Sequence, residues 1–386
     1  MFFRTLIPFF LCSIFISSAN AALFSSKNAE LSSDDFRNSG VKGFNIGVIA
    51  DHDDGYYKEL KETGANTVRV ILPFSRCEQT AQINDKPTDV SQIQSQAMEP
   101  KCVYKVKKES LSSLNNLLKK AASDNFYVIV VGSFEQNPVG DYWTSKKLQQ
   151  GISQAWQRLA EIYKDNNRIA AFDIFNTPNA AGLNNPAKVQ EYWKAGASNI
   201  IAHIREIDRK RTVIYQVPYG DALVADKLTP MEDSNVVYGF DMYYPYAITF
   251  QGMSKEYPER LTYPLGQEFN LDPFNDGKPR AINADELKQY LSRVDKFSKD
   301  NKVPIIISGF GIVHYAPNGS GYRYIQDVGA IFKENGFSWM YEGFRVNQAM
   351  DPYIASDDPS AIERSSSAPM ISLLTELMTQ TNKEIK

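Results

Sequence analysis

Eight short apolar runs, rich in β-branched residues, constrain this chain more than any other feature. They are FNIGVIA (44–50), NTVRVIL (66–72), FYVIVVG (126–132), IAAFDIF (169–175), RTVIYQV (211–217), NVVYGFDMYY (235–244), VPIIISGFG (303–311) and GFSWMYEGF (336–344). Between them lie stretches with apolar positions at i, i+3 and i+4, namely 55–64, 110–125, 147–166, 187–207, 284–301 and 324–336, and one more at 367–380 closes the chain. That spacing is the mark of amphipathic helices laid over a sheet. Only the fifth run lacks a clear helix after it, with a short turn near 220–228 in its place. The runs are continuously apolar rather than alternating, which fits strands buried on both faces. Strand and helix alternating this many times predict class α/β, a (β/α)8 TIM barrel, as a single domain over residues 22–386. Two long excursions, 73–107 after the second strand and 245–283 after the sixth, leave the carboxyl ends of strands. Barrel sites are assembled on that face.

The chain begins MFFRTLIPFFLCSIFISSANA, with Arg4 ahead of an apolar run from Leu6 to Ile16 and the small-x-small triplet Ala19-Asn20-Ala21. Residues 1–21 therefore read as a cleaved signal peptide, and the mature protein as exported, periplasmic or secreted. Cys12 sits inside the run without a lipoprotein box, and no second run approaches the ~18 residues of a membrane span. Cleavage leaves Cys77 and Cys102, an even pair in an oxidising compartment, so a disulfide is the default and two buried thiols the alternative. The bond would close a loop of about 25 residues, contributing roughly 3 kcal/mol in the chain-entropy model. No nearby His turns the pair into a metal site. The acidic loop Asp51-His52-Asp53-Asp54 reads as a helix cap rather than a divalent-ion site, and neither His203 nor His314 has ligand partners in sequence. No metal and no cofactor are expected. A formal net charge of −3 with no basic block argues against nucleic acid as a partner.

Several strings then fall in a telling order. GANTVRVIL (64–72), WQRLAEIYKDNNRIAAFDIFNTPN (156–179), NVVYGFDMYYPYAITFQG (235–252) with YPLG (263–266), VPIIISGFG and FSWMYEGFR (337–345) together resemble glycoside hydrolase family 5, the cellulase-like retaining glycosidases. The resemblance implies an oligo- or polysaccharide partner, β-linked, held in a cleft by Arg69, Asn176, Tyr243 and a sugar-stacking Trp339. Trp143, in the GDYWTS loop, is a second stacking candidate. Each has a structural alternative: Arg69 as a buried ion-pair anchor, Asn176 as a loop tie, Trp339 and Trp143 as packing. Trp156 and Trp193, mid-helix among apolar neighbours, read as packing outright.

Retaining cleavage needs two carboxyl groups about 5–5.5 Å apart, an acid for the leaving oxygen and a nucleophile for the anomeric carbon. Where the resemblance places the acid/base stands Thr177, and where it places the nucleophile stands Gly309. A hydroxyl without a titration near neutrality is no tuned acid, and glycine has nothing to attack with. Supporting positions differ too, with Ser133, Asp241 and Glu342 where the family often carries His. The first reading is thus a polysaccharide-binding barrel that has lost retaining hydrolysis. The alternative is an active O-glycosyl hydrolase using displaced carboxylates, Glu135, Asp241 or Glu342, with Glu135 and Glu342 as a wide inverting pair. A third is a non-catalytic envelope interaction protein with a decayed cleft.

Overall fold

The structure, a computed structural model, describes residues 30–77, 103–135, 142–143, 145–181, 183, 185–274 and 276–380. The expected signal peptide, residues 1–21, and Cys102, the expected partner of Cys77, lie outside the described residues. Eight parallel strands close into a barrel: β1 (Lys42–Val48), β2 (Thr67–Arg76), β4 (Tyr127–Phe134), β5 (Ile169–Asp173), β6 (Thr212–Gln216), β7 (Val236–Met242), β8 (Ile305–Phe310) and β9 (Ser338–Tyr341). Closure comes from β1, which pairs with β2 on one side and β9 on the other. Each sequence run became one of these strands. The (β/α)8 expectation therefore holds.

The first long excursion is not all loop. β2 runs on to Arg76, and its extension pairs antiparallel with a short strand, β3 (Tyr104–Val106), through Phe74↔Val106 and Arg76↔Tyr104. Helices α1 (Asp54–Glu62), α2 (Lys108–Asp124), α3 (Lys146–Tyr163), α4 (Val189–Ile207), α5 (Ala284–Asn301), α6 (Ser320–Asn335) and α7 (Pro369–Thr379) cover the barrel. Their starts follow local chemistry: Asp53, Ser145 and Asn283 each accept a backbone N–H of the first turn. The fifth crossover has only 3-10 segments, Pro218–Gly220 and Ala222–Lys227. Among the described residues, no helix is long and apolar enough to cross a membrane.

Side-chain parity sorts the strands into two cores. Val128 and Val130 point outward to the helices, while Tyr127 and Ile129 point into the barrel. The inner cluster continues through Ala171, Ile214, Val237, Ile306 and Met340. Its floor is the 3-10 segment Ser33–Ser39, whose Phe36 is fully buried among the strands' amino-terminal ends. Hydrogen bonds fix this plug: Ser338 Oγ donates to Phe36 O at 2.7 Å, and Thr212 Oγ1 donates to Leu31 O at 3.1 Å. With the floor sealed, the opposite mouth is where strand ends can present polar groups.

Trp156 and Trp193 are the packing residues the sequence suggested. Both are fully buried, and each indole N–H donates to a strand-end carbonyl, Ile174 O at 3.0 Å and Gln216 O at 2.7 Å. A buried indole satisfied this way combines large apolar burial with no unpaired donor. Gly132 makes room for Trp156, since a Cβ there would meet the ring at 2.5 Å. Trp156→Ala is expected to destabilise the protein by about 3–5 kcal/mol, measured by denaturant unfolding.

Candidate active site at the barrel mouth

Parity decides what reaches the mouth. Arg69 on β2 and Asp173 on β5 point inward, and so do Asp241 on β7 and Glu342 just past β9, two residues beyond the inner Met340. Arg69 is the hub. Its Nε donates to Asp173 Oδ2 at 2.9 Å and its Nη2 lies 2.8 Å from the same oxygen. Nη1 donates to Asn45 Oδ1 at 3.1 Å, and Nη2 to Asn176 Oδ1 at 3.1 Å. Gln216 Nε2 completes the layer, donating to Asp173 Oδ2 at 2.8 Å and Ser308 Oγ at 2.5 Å. Burial pushes the fully enclosed Asp173 carboxyl up, against the pull of Arg69. The guanidinium thus serves as the anchor considered for it, and it also aims Asn176, leaving that amide's NH2 as a donor at the mouth.

Above this layer lies a cavity of about 260 Å3, lined among others by Asn176, Thr177, Asp241, Tyr243, Gly309 and Glu342. Asn45 Nδ2 donates to Glu342 Oε2 at 2.9 Å and to Ser308 O at 2.9 Å, and Tyr243 Oη hydrogen-bonds the same carboxylate. Burial raises the Glu342 carboxyl, with Asn45, Arg69 and Tyr243 opposing. Asp241 is pushed up to about 7, first by burial and then by the charges of Asp173 and Glu342, with Arg69 opposing. Its carboxylate rests on Gly220, where a Cβ would fall 2.3 Å from Oδ2. Gly220 has φ +65, so this site selects glycine on both counts.

Gly309 faces the same space. A Cβ there would stand 2.6 Å from Tyr243 Oη and 3.4 Å from Asp241 Oδ1. The pairing of β7 with β8 slips between Phe240 and Asp241, so that Asp241 aligns with Gly309. A bulge of this kind re-aims side chains next to a site. Thr177 carries φ +49, an uncommon and strained backbone for a β-branched residue.

Three sequence candidates lie elsewhere. Glu135 is exposed at the end of β4, where its carboxylate accepts the Arg76 N–H at 2.9 Å and pins the β2 extension; it does not line the cavity. Trp339 has outward parity and packs edge-on against Phe310 at 5.4 Å, 3% exposed. Trp143 is buried beside Tyr142 and Trp193. Both tryptophans thus take the packing role that was their alternative in the sequence, away from the lining of the cavity. The aromatics that do frame the mouth were not singled out from sequence. Phe250 lines the cavity, Tyr246 beyond it is 48% exposed, and Tyr246 and Tyr257 stack at 6.4 Å. On another edge, exposed Tyr219 accepts the Ala180 N–H at 3.1 Å, bridging the loops after β5 and β6. The run Tyr243-Tyr244-Pro245-Tyr246 was the available signal.

The acidic loop after β1 is built as a cap. Asp53 caps α1, Asp51 accepts from Ser113 and Asn116, Asp54 pairs with Lys120, and His52 stacks on Tyr56. Among the described residues, no group of three His, Cys, Asp or Glu could hold a metal ion.

This architecture has known relatives. Residues 31–347 match the family described as Cellulase (glycosyl hydrolase family 5). The chain belongs to glycosyl hydrolase family 5. Among solved structures it is similar to the endoglucanase Cel5A from the hyperthermophilic Thermotoga maritima, with a TM-score of 0.67 and 18% identity over 90% of this chain and 100% of that one. The cellulose synthase subunit Z (CcsZ) from Clostridioides difficile gives a TM-score of 0.62 at 19% identity, covering 86% and 99%. A hyperthermophilic endo-β-1,4-glucanase in complex with substrate gives 0.64 at 20%, covering 89% and 99%. At such identities the structural likeness speaks for the fold alone. No curated protein matches the chain.

The family barrel here carries a carboxyl poised near neutrality, and its effect on stability has a definite sign. Between about pH 4 and pH 7 the folded protein keeps a proton on Asp241 that the unfolded chain has lost. Stability from this group is therefore full below the lower limit and falls as pH rises through the window. Asp241→Asn is expected to gain stability over the parent at pH 8 but not at pH 4, read from urea midpoints at the two values.

Proposed function

We propose that this family 5 barrel is an exported glycan-binding protein that has lost retaining hydrolysis. The observation that carries the reading is the pair of cavity positions Thr177 and Gly309, neither with a carboxyl, with Tyr243 Oη filling the space ahead of Gly309. Without a proton donor for the leaving oxygen and an attacking carboxylate, positioning alone is left, and acid–base help is typically worth 10²–10⁴-fold. What remains is suited to holding sugar: Asn176 oriented by Arg69, Phe250 beside the cavity and exposed Tyr246 at its rim. The solved relatives include Thermotoga maritima Cel5A in complex with mannotriose and with cellobiose, so β-linked gluco- and manno-oligosaccharides are the first ligands to offer. Export rests on the leader, and the Cys77–Cys102 bond on that compartment. Intact mass of the mature protein, with and without reduction before alkylation, checks both the start near Ala22 and the bond.

Pull-down on insoluble β-glucan and mannan is expected to retain the protein, with Tyr246→Ala reducing retention. Hydrolysis by the parent is expected at background. Thr177→Glu with Gly309→Glu together, and Tyr243→Phe to free the space, should raise cleavage at least tenfold above the parent. A parent that already cleaves as fast as an intact family member overturns the reading.

A second reading is favoured by one observation: Asp241, held near neutrality, and Glu342 line the same cavity. Acid and base catalysts work best with such matched values. In that case Asp241→Asn and Glu342→Gln should each abolish the hydrolysis found, and unchanged turnover removes the residue concerned.

A further inference from the structure

The charge of the cavity points to a ligand more specific than a neutral sugar. Among the described lining residues the charged groups are Arg69, Asp241 and Glu342. Arg69 lines the cavity with its donors already engaged, Nε and Nη2 by Asp173, Nη1 by the amide oxygen of Asn45 and Nη2 also by that of Asn176. Its carboxyl partner is the fully buried Asp173, 2.8 Å from Nη2. Arg69 pulls both cavity carboxyls down, but its hydrogen bonds go to Asp173, Asn45 and Asn176, so among the described lining residues Asp241 and Glu342 share with Asp173 a single cation. The remaining groups there bring no positive charge: Asn45 and Tyr243 are hydrogen-bonded to Glu342, Gly309 and Ser308 are neutral, and Tyr246 at the rim is a phenol.

Two partly buried carboxyls lining one 260 Å3 space disfavour each other's ionisation, and a neutral hydroxyl does nothing to relieve that. An ammonium placed between them does, through charge-assisted hydrogen bonds in a site with reduced solvent screening. The space is of the order of one sugar ring rather than a long run of subsites, and the aromatic rim of Phe250 and Tyr246 adds the flat apolar contact that a ring face takes. A basic sugar satisfies both demands at once.

From this geometry we infer that the cavity selects a glycan unit bearing a free amino group, a 2-amino-2-deoxy sugar, with its ammonium held between Asp241 and Glu342. The inference rests on the glycan-binding reading and narrows its ligand class. It also gives both carboxyls a purpose that needs no bond cleavage. Burial of Asp241 then has a thermodynamic signature: near pH 7 it is partly protonated in the empty cavity, and an arriving ammonium drives that proton off.

Isothermal titration at pH 6.5 with glucosamine trimer, cellotriose and N-acetylglucosamine trimer tests this on the full mature chain. The glucosamine trimer is expected to bind at least tenfold tighter than the other two, with the advantage shrinking as salt is raised. Its binding enthalpy should differ between phosphate and imidazole buffers by an amount that reports net proton exchange, and the cellotriose enthalpy should not. Asp241→Asn and Glu342→Gln should each reduce the glucosamine-to-cellotriose affinity ratio at least fivefold. Taking the ratio within one variant cancels any general loss of binding, and the ratio in the unaltered protein decides by itself should a variant not fold. Equal affinities, or tighter binding of the acetylated trimer, overturn the inference while leaving glycan binding in place. No binding of any trimer overturns both.

Discussion

The contact between Arg69 and Asp173 organises everything above it. Two charges fully or nearly enclosed in a barrel interior carry a large desolvation cost, which their attraction offsets only with good geometry and further hydrogen bonds. Here the guanidinium finds them: one carboxylate oxygen on two nitrogens, and amide oxygens from β1 and from the loop after β5. Gln216 and Ser308 extend the net to β6 and β8. The mouth of the barrel is held as a polar disc resting on an apolar plug. Asn176 and Glu342 take up their positions because their partners are fixed in that disc, not because the loops bearing them are rigid.

The sheet was readable in the sequence because each strand is a run of β-branched residues bounded by a helix period, and parallel strands buried on both faces leave that trace. The mouth was only half readable. Arg69, Asn176 and Tyr243 stood out from the resemblance and do meet at the cavity. For Trp339 the packing alternative has a physical reason: residue type announces stacking capacity, but direction along a strand depends on parity. Met340 belongs to the inner cluster, which sets Trp339 outward and Glu342 inward. The same alternation, counted from the sequence, would have favoured Glu342 over Trp339. Glu135 could not be settled that way, because β2 runs past the barrel to Arg76 and captures its carboxylate with a backbone N–H. Nor did sequence reveal the slip between β7 and β8 that sets Asp241 against Gly309.

That slip brings Asp241 and Tyr243 into the space in front of Gly309. An absent side chain at Gly309 is not left as a hole, since Tyr243 and Asp241 both occupy its surroundings. Filling of this kind keeps interior density high and makes simple reversal by one substitution sterically costly. The family fold is thus kept with polar groups of several neighbouring strand ends lining its mouth.

The floor of the barrel has a consequence for how the chain reaches its final state. Ser338 takes part in two hydrogen bonds that lock the bottom segment, one to Phe36 and one from Val41, across some three hundred positions of sequence. Closure of the cylinder likewise joins β1 to β9, the first strand to the last. Until that final strand is made, β1 and β8 each present a bare edge, and Phe36 lacks its lid. Long-range closure of this sort delays the last cooperative step. The cylinder of a growing chain therefore stays open until β9 has been added.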